Sequence, residues 1–302
     1  MLQPQLLHPG DKVAIVATAR KVSHEEMSPA IGLFSSWGLQ IVIPPSLYEQ
    51  HNQFAGDDDI RARMLQDVLD DDSIAAVFCA RGGYGTVRII DKIDFSHFAQ
   101  HPKWIIGYSD VTVLHSHIHT HYGIATLHAI MPINIPANAK ESNLPAIQSL
   151  HDTLFCSPST SLSATVLNSN GSILGRAGKV CAPIVGGNLS MLYSLIGSAS
   201  DIDTTDKILF IEDLDEYLYH IDRMMQNLKR NGKLAHLKGL MVGAMTDMHD
   251  NQIPFGASAE EIIWDAVKEY NYPVGFQAPH GHIGTQNVAL TLGIPTTFSV
   301  LQ

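Results

Sequence analysis

Trp104-Ile105-Ile106-Gly107-Tyr108-Ser109-Asp110-Val111-Thr112 is the stretch that decides how the chain is read. Three apolar residues suited to a buried strand run into a glycine, a serine follows, and an acidic residue opens a helical pattern over Asp110–His121. Strand, sharp turn and helix is the geometry that lifts a serine hydroxyl out of a sheet and aims backbone N–H groups at the space beside it. The spacing is not G-x-S-x-G, because Val111 stands where the second glycine would be. The same residues also suit a plain helix cap, the usual role of Ser or Asp before a helix.

Outward from this stretch, the first half alternates between two kinds of segment. Lys12–Thr18, Gln40–Ile43, Ser73–Ala80 and Ile124–Leu127 are short apolar runs of strand type. Between them, Ser23 with Glu26 forms a capping box ahead of one helix, and Asp57–Asp59 starts another bearing Ile60, Met64, Leu65 and Val68. Strands alternating with helices predict a doubly wound parallel sheet with its ligand site outside the carboxyl ends of the strands. Arg81–Gly85 and Gly107–Asp110 both lie at such ends.

From about Ser157 the chain turns rich in Ser, Gly and Asn, with short alternating runs. This divides it into an α/β domain over 1–155, a linker over 156–170 and a β-rich domain over 171–302. In the second domain, Val185–Leu195 reads as a glycine-rich turn and a helix. Lys207–Ile211, Leu240–Met245 and Pro273–Phe276 read as strands, Tyr217–Leu228 and Ala257–Tyr270 as helices, and Val288–Leu292 as the start of the last β segment. A site in the cleft between the domains follows.

The chain has 302 residues, 45% hydrophobic and 16% charged, which fits a folded core of one large or two medium domains. A formal net charge of −11 argues against nucleic acid or an anionic membrane as partner. The sixteen histidines offset part of that charge only in acid. Cys79, Cys156 and Cys181 are odd in number and scattered, and Cys79 and Cys181 stand in apolar runs. They read as buried thiols of a reducing compartment. With no basic leader and no apolar stretch near 18 residues, a cytoplasmic protein is expected.

Several residues have both a chemical and a structural reading. Arg81-Gly82-Gly83-Tyr84-Gly85 lacks the spacing of a nucleotide loop. It is either one half of an oxyanion hole or a turn that needs glycine backbone freedom. His115, His117, His119 and His121 share helix faces only in pairs and enclose no Glu, so a solvated or partner-facing helix is expected ahead of a metal site. Glu212, at a strand end, either orients a histidine or belongs to the acidic helix start that follows. In His280-Gly281-His282-Ile283-Gly284, His282 is the better base candidate because glycines, Gly281 and Gly284, stand on both sides of it. Ser, then Glu, then His is one of the chain orders in which nucleophile, orienter and base are assembled.

With these residues in view, the chain resembles the LD-carboxypeptidase family, the muramoyl-tetrapeptide carboxypeptidases. The resemblance rests on Pro9-Gly10-Asp11, Ala80–Gly85, Gly107-Tyr108-Ser109-Asp110, His128 before Met131-Pro132, Gly186-Gly187-Asn188-Leu189-Ser190, Ile211-Glu212-Asp213, Ile221-Asp222-Arg223-Met224, and Gly281-His282 with Asn287 and Leu292-Gly293. It implies an α/β N-terminal domain, a mainly β C-terminal domain and a serine peptidase whose triad is Ser109, Glu212 and His282. It implies oxyanion donors at Asp110 and at Gly82 or Gly83, with Arg81 and Tyr84 near the substrate, and neither metal nor cofactor. The implied substrate is a murein tetrapeptide ending in D-Ala, and the implied setting is a cytoplasmic homodimer. An acyl-nucleotide antibiotic amidase is the alternative within the family, and a His-rich metal-binding protein the alternative outside catalysis. The chain departs from the family pattern at Ala17-Thr18-Ala19-Arg20, where a Pro-Ser turn is common, and after His128, where Gly-Pro is common.

Overall fold

The apolar runs of the first half become strands, buried except at the sheet edge, where Gln40–Val42 is open. The computed structural model describes residues 1–139, 143–156, 163–167 and 174–301. Strands β1 (Lys12–Val16), β2 (Gln40–Val42), β3 (Ile74–Cys79), β4 (Trp104–Gly107) and β5 (Thr126–His128) pair in parallel in the order β2-β1-β3-β4-β5. Val13–Val16 and all of β4 are buried, as β-branched and apolar side chains must be when helices cover both faces. Strand order reverses between β1 and β3, the switch point beside which ligands of such sheets bind.

The connecting helices begin where their caps predict. Helix α1 (His24–Ser36) carries the Ser23–Glu26 capping box, and α2 (Asp58–Asp70) is capped by Asp57. Helix α3 (Ser96–Gln100) is short. The turn after Gly107 is a single tight turn over Ser109–Val111, which leads into α4 (Thr112–Tyr122). The segment after Gly85 forms only two short turns, Thr86–Arg88 and Ile90–Lys92. Helix α5 (Pro145–Phe155) closes the first half.

The second sheet has the order β10-β9-β8-β7-β12-β6. Its strands are β6 (Ser163–Leu167), β7 (Gly178–Asn188), β8 (Ile208–Leu214), β9 (Gly239–Thr246), β10 (Val274–Gly275) and β12 (Pro295–Leu301). Strands β7 to β10 are mutually parallel, while β12 runs antiparallel to β7. Helices α6 (Leu189–Leu195), α7 (Leu218–Arg230) and α8 (Ala259–Val267) share an apolar core with it that includes Leu192, Ile221, Met224, Ile263 and Val242. The second domain is thus more helix-covered than its composition implied. Strand β11 (Leu290–Leu292) leaves this domain to pair antiparallel with β5, and Leu290 and Leu292 also pack on the second sheet. The two sheets are joined through it.

Four expectations are corrected. The 156–170 segment includes strand β6, paired with β12; the rest of it beyond Cys156 lies outside the described residues. Gly186 and Gly187 belong to β7, not to a turn, because the strand runs on until Asn188 caps α6. Of the three thiols only Cys79 is buried: Cys156 is exposed just past α5, and Cys181 because the first half of β7 alternates between an open and a covered side. The histidine-rich helix α4 is mostly covered by protein, with only His121 of its four histidines exposed. His115, His117 and His119 are buried, because α4 lies between the first sheet and β7 with α6. Each ring finds a local partner: His115 with Gly107 O at 3.0 Å, His117 with Ser200 Oγ at 2.9 Å, His119 with Thr126 Oγ1 at 3.0 Å.

Burial holds these imidazoles neutral. It lowers His115 to about 4, His119 to about 3 and, outside this helix, His280 to about 4. The unfolded chain takes up these protons first, near pH 6.5. Their contribution to stability is therefore complete above about pH 6.5 and is lost as pH falls, at about 1.4 kcal/mol per unit for each such ring. Thermal melts should show a steep drop in Tm between pH 6.5 and 5. A Tm that stays level across that interval would mean that these rings are protonated in the fold.

Candidate active site

The candidate residues converge on the carboxyl edges of both sheets. Gly107 ends β4 with φ of +157°, and a Cβ there would come within 2.9 Å of Val111. Only glycine lets the following turn close so tightly. Ser109 then takes φ of +64°, a left-handed conformation that an L-residue with a side chain adopts at a cost of about 1–3 kcal/mol. The carbonyl of Gly107 accepts from the His115 ring, and that bond fixes the turn from behind.

The loop after β3 is pressed against the same turn. A Cβ on Gly82 would stand 3.0 Å from Ser109 Cβ, 3.1 Å from its Oγ and 3.4 Å from the Asp110 nitrogen. The absence of a side chain at 82 therefore opens the space beside the hydroxyl. Asp110 ties the two loops together, its Oδ2 accepting from Thr86 N–H at 2.9 Å. Burial pushes the Asp110 pKa up, opposed by N–H donors from Thr86 and Gly85 and by the charge of Arg61. Thr86 Oγ1 shares a 2.8 Å hydrogen bond with Thr18 Oγ1, which brings in the loop after β1.

Glu212 and His282 meet from the second domain. Strands β8 and β9 change register between Ile211 and Asp213, and Glu212 stands at that irregularity; the alternation of a strand sends Glu212 and Asp213 to different partners. Glu212 is fully buried, and its Oε2 lies 2.6 Å from His282 Nδ1. A carboxylate accepts, so Nδ1 carries the hydrogen and Nε2 keeps its lone pair. Gly281, at φ of +111°, permits this approach; a Cβ there would come within 2.7 Å of Glu212 Oε2. Burial disfavours the imidazolium, but the hydrogen bond and charge of Glu212, with Asp213 behind, outweigh it and raise the His282 pKa above its ordinary value. His280 is turned away, its Nδ1 donating to Val288 O at 2.8 Å.

The halves meet at Tyr108, whose ring centre lies 4.8 Å from that of His282. Ser109 is half-buried, and among the described residues its Oγ makes no hydrogen bond, to His282 Nε2 or elsewhere. Such bonds commonly close only when substrate is present. The other proposed binding residues sit on the same loop. Arg81 donates to Lys21 O at 3.3 Å and stands 3.9 Å from Glu26, while Tyr84 is exposed beside Phe54.

Two family descriptions match this chain: an LD-carboxypeptidase N-terminal domain over residues 13–129 and an LD-carboxypeptidase C-terminal domain over residues 182–298. The chain belongs to the LD-carboxypeptidase family. A relative from Bacillus subtilis (strain 168), described as a probable murein peptide carboxypeptidase, is 35% identical over 92% of this chain and 86% of its own. The crystal structure of muramoyltetrapeptide carboxypeptidase from Oxalobacter formigenes is similar at 26% identity and TM-score 0.81, covering 93% of this chain and 92% of that one. MccF in complex with glutamyl sulfamoyl guanosine shares the fold at 19% identity and TM-score 0.83, over 98% and 95% of the two chains. As a member of this family the chain is a carboxypeptidase, a hydrolase.

Some residues that build this LD-carboxypeptidase site escaped sequence reasoning. Arg61, fully buried, donates through Nη1 to Thr18 O at 2.6 Å and Gly85 O at 2.9 Å, and pairs with Asp58. Its spacing from Met64, Leu65 and Val68 placed it on the core side of α2, which was the available signal. Asp213 accepts from Asn188 Nδ2, Ser190 N–H and Leu214 N–H, and burial with the charge of Glu212 lifts it to about 7. Asn188 N–H in turn donates to Thr112 Oγ1 at 3.0 Å and links α4 to β7. A grouping of possible metal ligands among the described residues, Asp72, His97 and His101, lies at the opposite, amino edge of the first sheet.

The electrostatic reading has a direct test. Glu212→Gln keeps the shape of the pair and removes the charge. The His282 pKa, followed by NMR titration of its ring, should drop by about a unit or more. An unchanged titration would show that Glu212 does not control the imidazole.

Proposed function

We propose that the chain is a serine-type LD-carboxypeptidase that releases the terminal D-Ala of murein tetrapeptides, with Ser109 as nucleophile, His282 as base and Glu212 as orienter. The observation that carries the reading is the 2.6 Å contact between a fully buried carboxylate and His282 Nδ1, with the His282 ring centre 4.8 Å from that of Tyr108, the neighbour of a left-handed serine. Fixing Nδ1 leaves Nε2 to take the proton from Ser109 Oγ as it attacks the scissile carbonyl. His282 then returns that proton to the leaving amino group of D-Ala, and a water activated the same way hydrolyses the acyl-enzyme. Base catalysis of this kind contributes about 10²–10⁴-fold.

The oxyanion that forms in each step would be held by the Asp110 N–H and by an N–H of Gly82 or Gly83. The open space at Gly82, where a Cβ would stand 3.1 Å from Ser109 Oγ and 3.4 Å from the Asp110 nitrogen, supports that reading. A donor of this kind is worth about 10²–10³ in kcat. The reading includes a cytoplasmic homodimer. Free thiols at Cys79, Cys156 and Cys181 favour a reducing compartment, and among the described residues no helix is long and apolar enough to cross a membrane. The dimer rests on the family resemblance. The amidase alternative rests on the shared fold of MccF and is separated by assaying an acyl-nucleotide beside the tetrapeptide.

The test is incubation with a defined tetrapeptide and mass measurement of the product. Wild-type protein should yield the tripeptide and D-Ala. Ser109→Ala and His282→Ala should each fold and lose at least about 10³-fold in kcat. Because the base must be neutral, kcat/KM should fall on the acid side through a pKa above that of an ordinary histidine. Turnover near wild type in either variant would remove that residue from the mechanism.

A further inference from the structure

We propose that Arg20, and not Arg81, is the cation that receives the substrate's terminal carboxylate. The assignment rests on the peptidase reading above. A carboxypeptidase must distinguish a free carboxylate from a continuing chain, and a protein of formal charge −11 needs a local cation to attract it. Arg81 is partly committed: its Nη1 donates to Lys21 O at 3.3 Å and lies 3.9 Å from Glu26.

Arg20 has the position and the freedom that Arg81 lacks. It follows β1, so it flanks the switch point between β1 and β3 from the side opposite Arg81. Its backbone is anchored by a bridge to Phe54, with Ala19 O and Lys21 N–H bonded on either side to Ala55 and Gln53. Its side chain lies across Gly83, where a Cβ would come within 2.6 Å of Arg20 Cδ and 2.8 Å of Nε. Gly83 adjoins Gly82, where a Cβ would stand 3.1 Å from Ser109 Oγ, and consecutive Cα atoms are about 3.8 Å apart. A bare Gly82-Gly83 step thus separates the proposed nucleophile from an exposed guanidinium, which has no ion pair among the described residues.

The chemistry suits that spacing. In a peptide cut at its last bond, the terminal carboxylate stands only one residue beyond the scissile carbonyl. The planar fork of an arginine holds such a carboxylate through two parallel N–H···O bonds, which a lysine cannot reproduce.

The experiment compares a murein tetrapeptide ending in D-Ala with its D-alaninamide twin, for wild type, Arg20→Ala, Arg20→Lys and Arg81→Ala. On the free acid, Arg20→Ala should lose about 10- to 100-fold in kcat/KM, mostly through KM, as for the loss of a charge-assisted pair. On the amide it should lose little, so the preference for acid over amide collapses; Arg20→Lys should recover part of it. Circular dichroism and Tm should not change, because Arg20 is exposed. An undiminished preference in Arg20→Ala, an equal loss on both substrates, or a collapse in Arg81→Ala alone would each overturn the assignment. If wild-type protein cleaves neither peptide, the peptidase reading fails before any substitution is made, and the Arg20 assignment goes with it.

Discussion

A fully buried carboxylate needs a partner, and Glu212 has one in His282. Much of the second domain is arranged so that these two groups meet. The register change in β8 aims Glu212 at the loop after β10, and Gly281 leaves room for its oxygen. A second carboxylate, Asp213, is turned to the other face and satisfied there by Asn188, Ser190 and Leu214. Two acidic groups adjacent in sequence and both buried would repel strongly if they faced one pocket. Here one keeps the imidazole basic, while the other holds the start of α6.

The first domain supplies the complementary part by a different physical means. Its turn at Ser109 is held in a costly conformation by neighbours on all sides: His115 behind, Gly82 in front and Asp110 fastened to Thr86. Arg61 and Thr18 extend that fastening to the loop after β1, so three strand ends form one rigid platform. Helix α4 links the platform to the second sheet through Thr112 and Asn188, and β11 links it again at the sheet edge. Both sheets therefore present their carboxyl ends to one site, whose short loops after β3, β4 and β10 are set by the strands they follow.

Much of this was legible in the sequence, where local rules and tertiary structure agree. The runs Lys12–Val16, Ile74–Cys79 and Trp104–Gly107 are strands because their apolar side chains are buried, and Ser23 and Asp57 start helices because they cap them. The candidate triad was implied by the family resemblance, and its Glu–His contact, between positions 70 residues apart, is present. Spacing and composition alone left Glu212 open between orienting a histidine and starting a helix. The histidine helix was misread because polar residues two apart suggest solvent on every side. Its surroundings are protein instead, and each buried ring answers to a neighbour that the sequence does not place beside it. Gly186-Gly187 was misread as a turn for a related reason. A Cβ at Gly187 would strike Thr112 of another element, so the glycine serves packing within a strand.

The account stands or falls on whether the hydroxyl of Ser109 is the nucleophile that His282 activates. The most direct measurement is reaction with a fluorophosphonate, with the modified residue mapped by mass spectrometry in wild type and in His282→Ala. The account predicts a single adduct on Ser109 that forms far more slowly once His282 is removed. An adduct elsewhere, or labelling of Ser109 at an unchanged rate without His282, would contradict it.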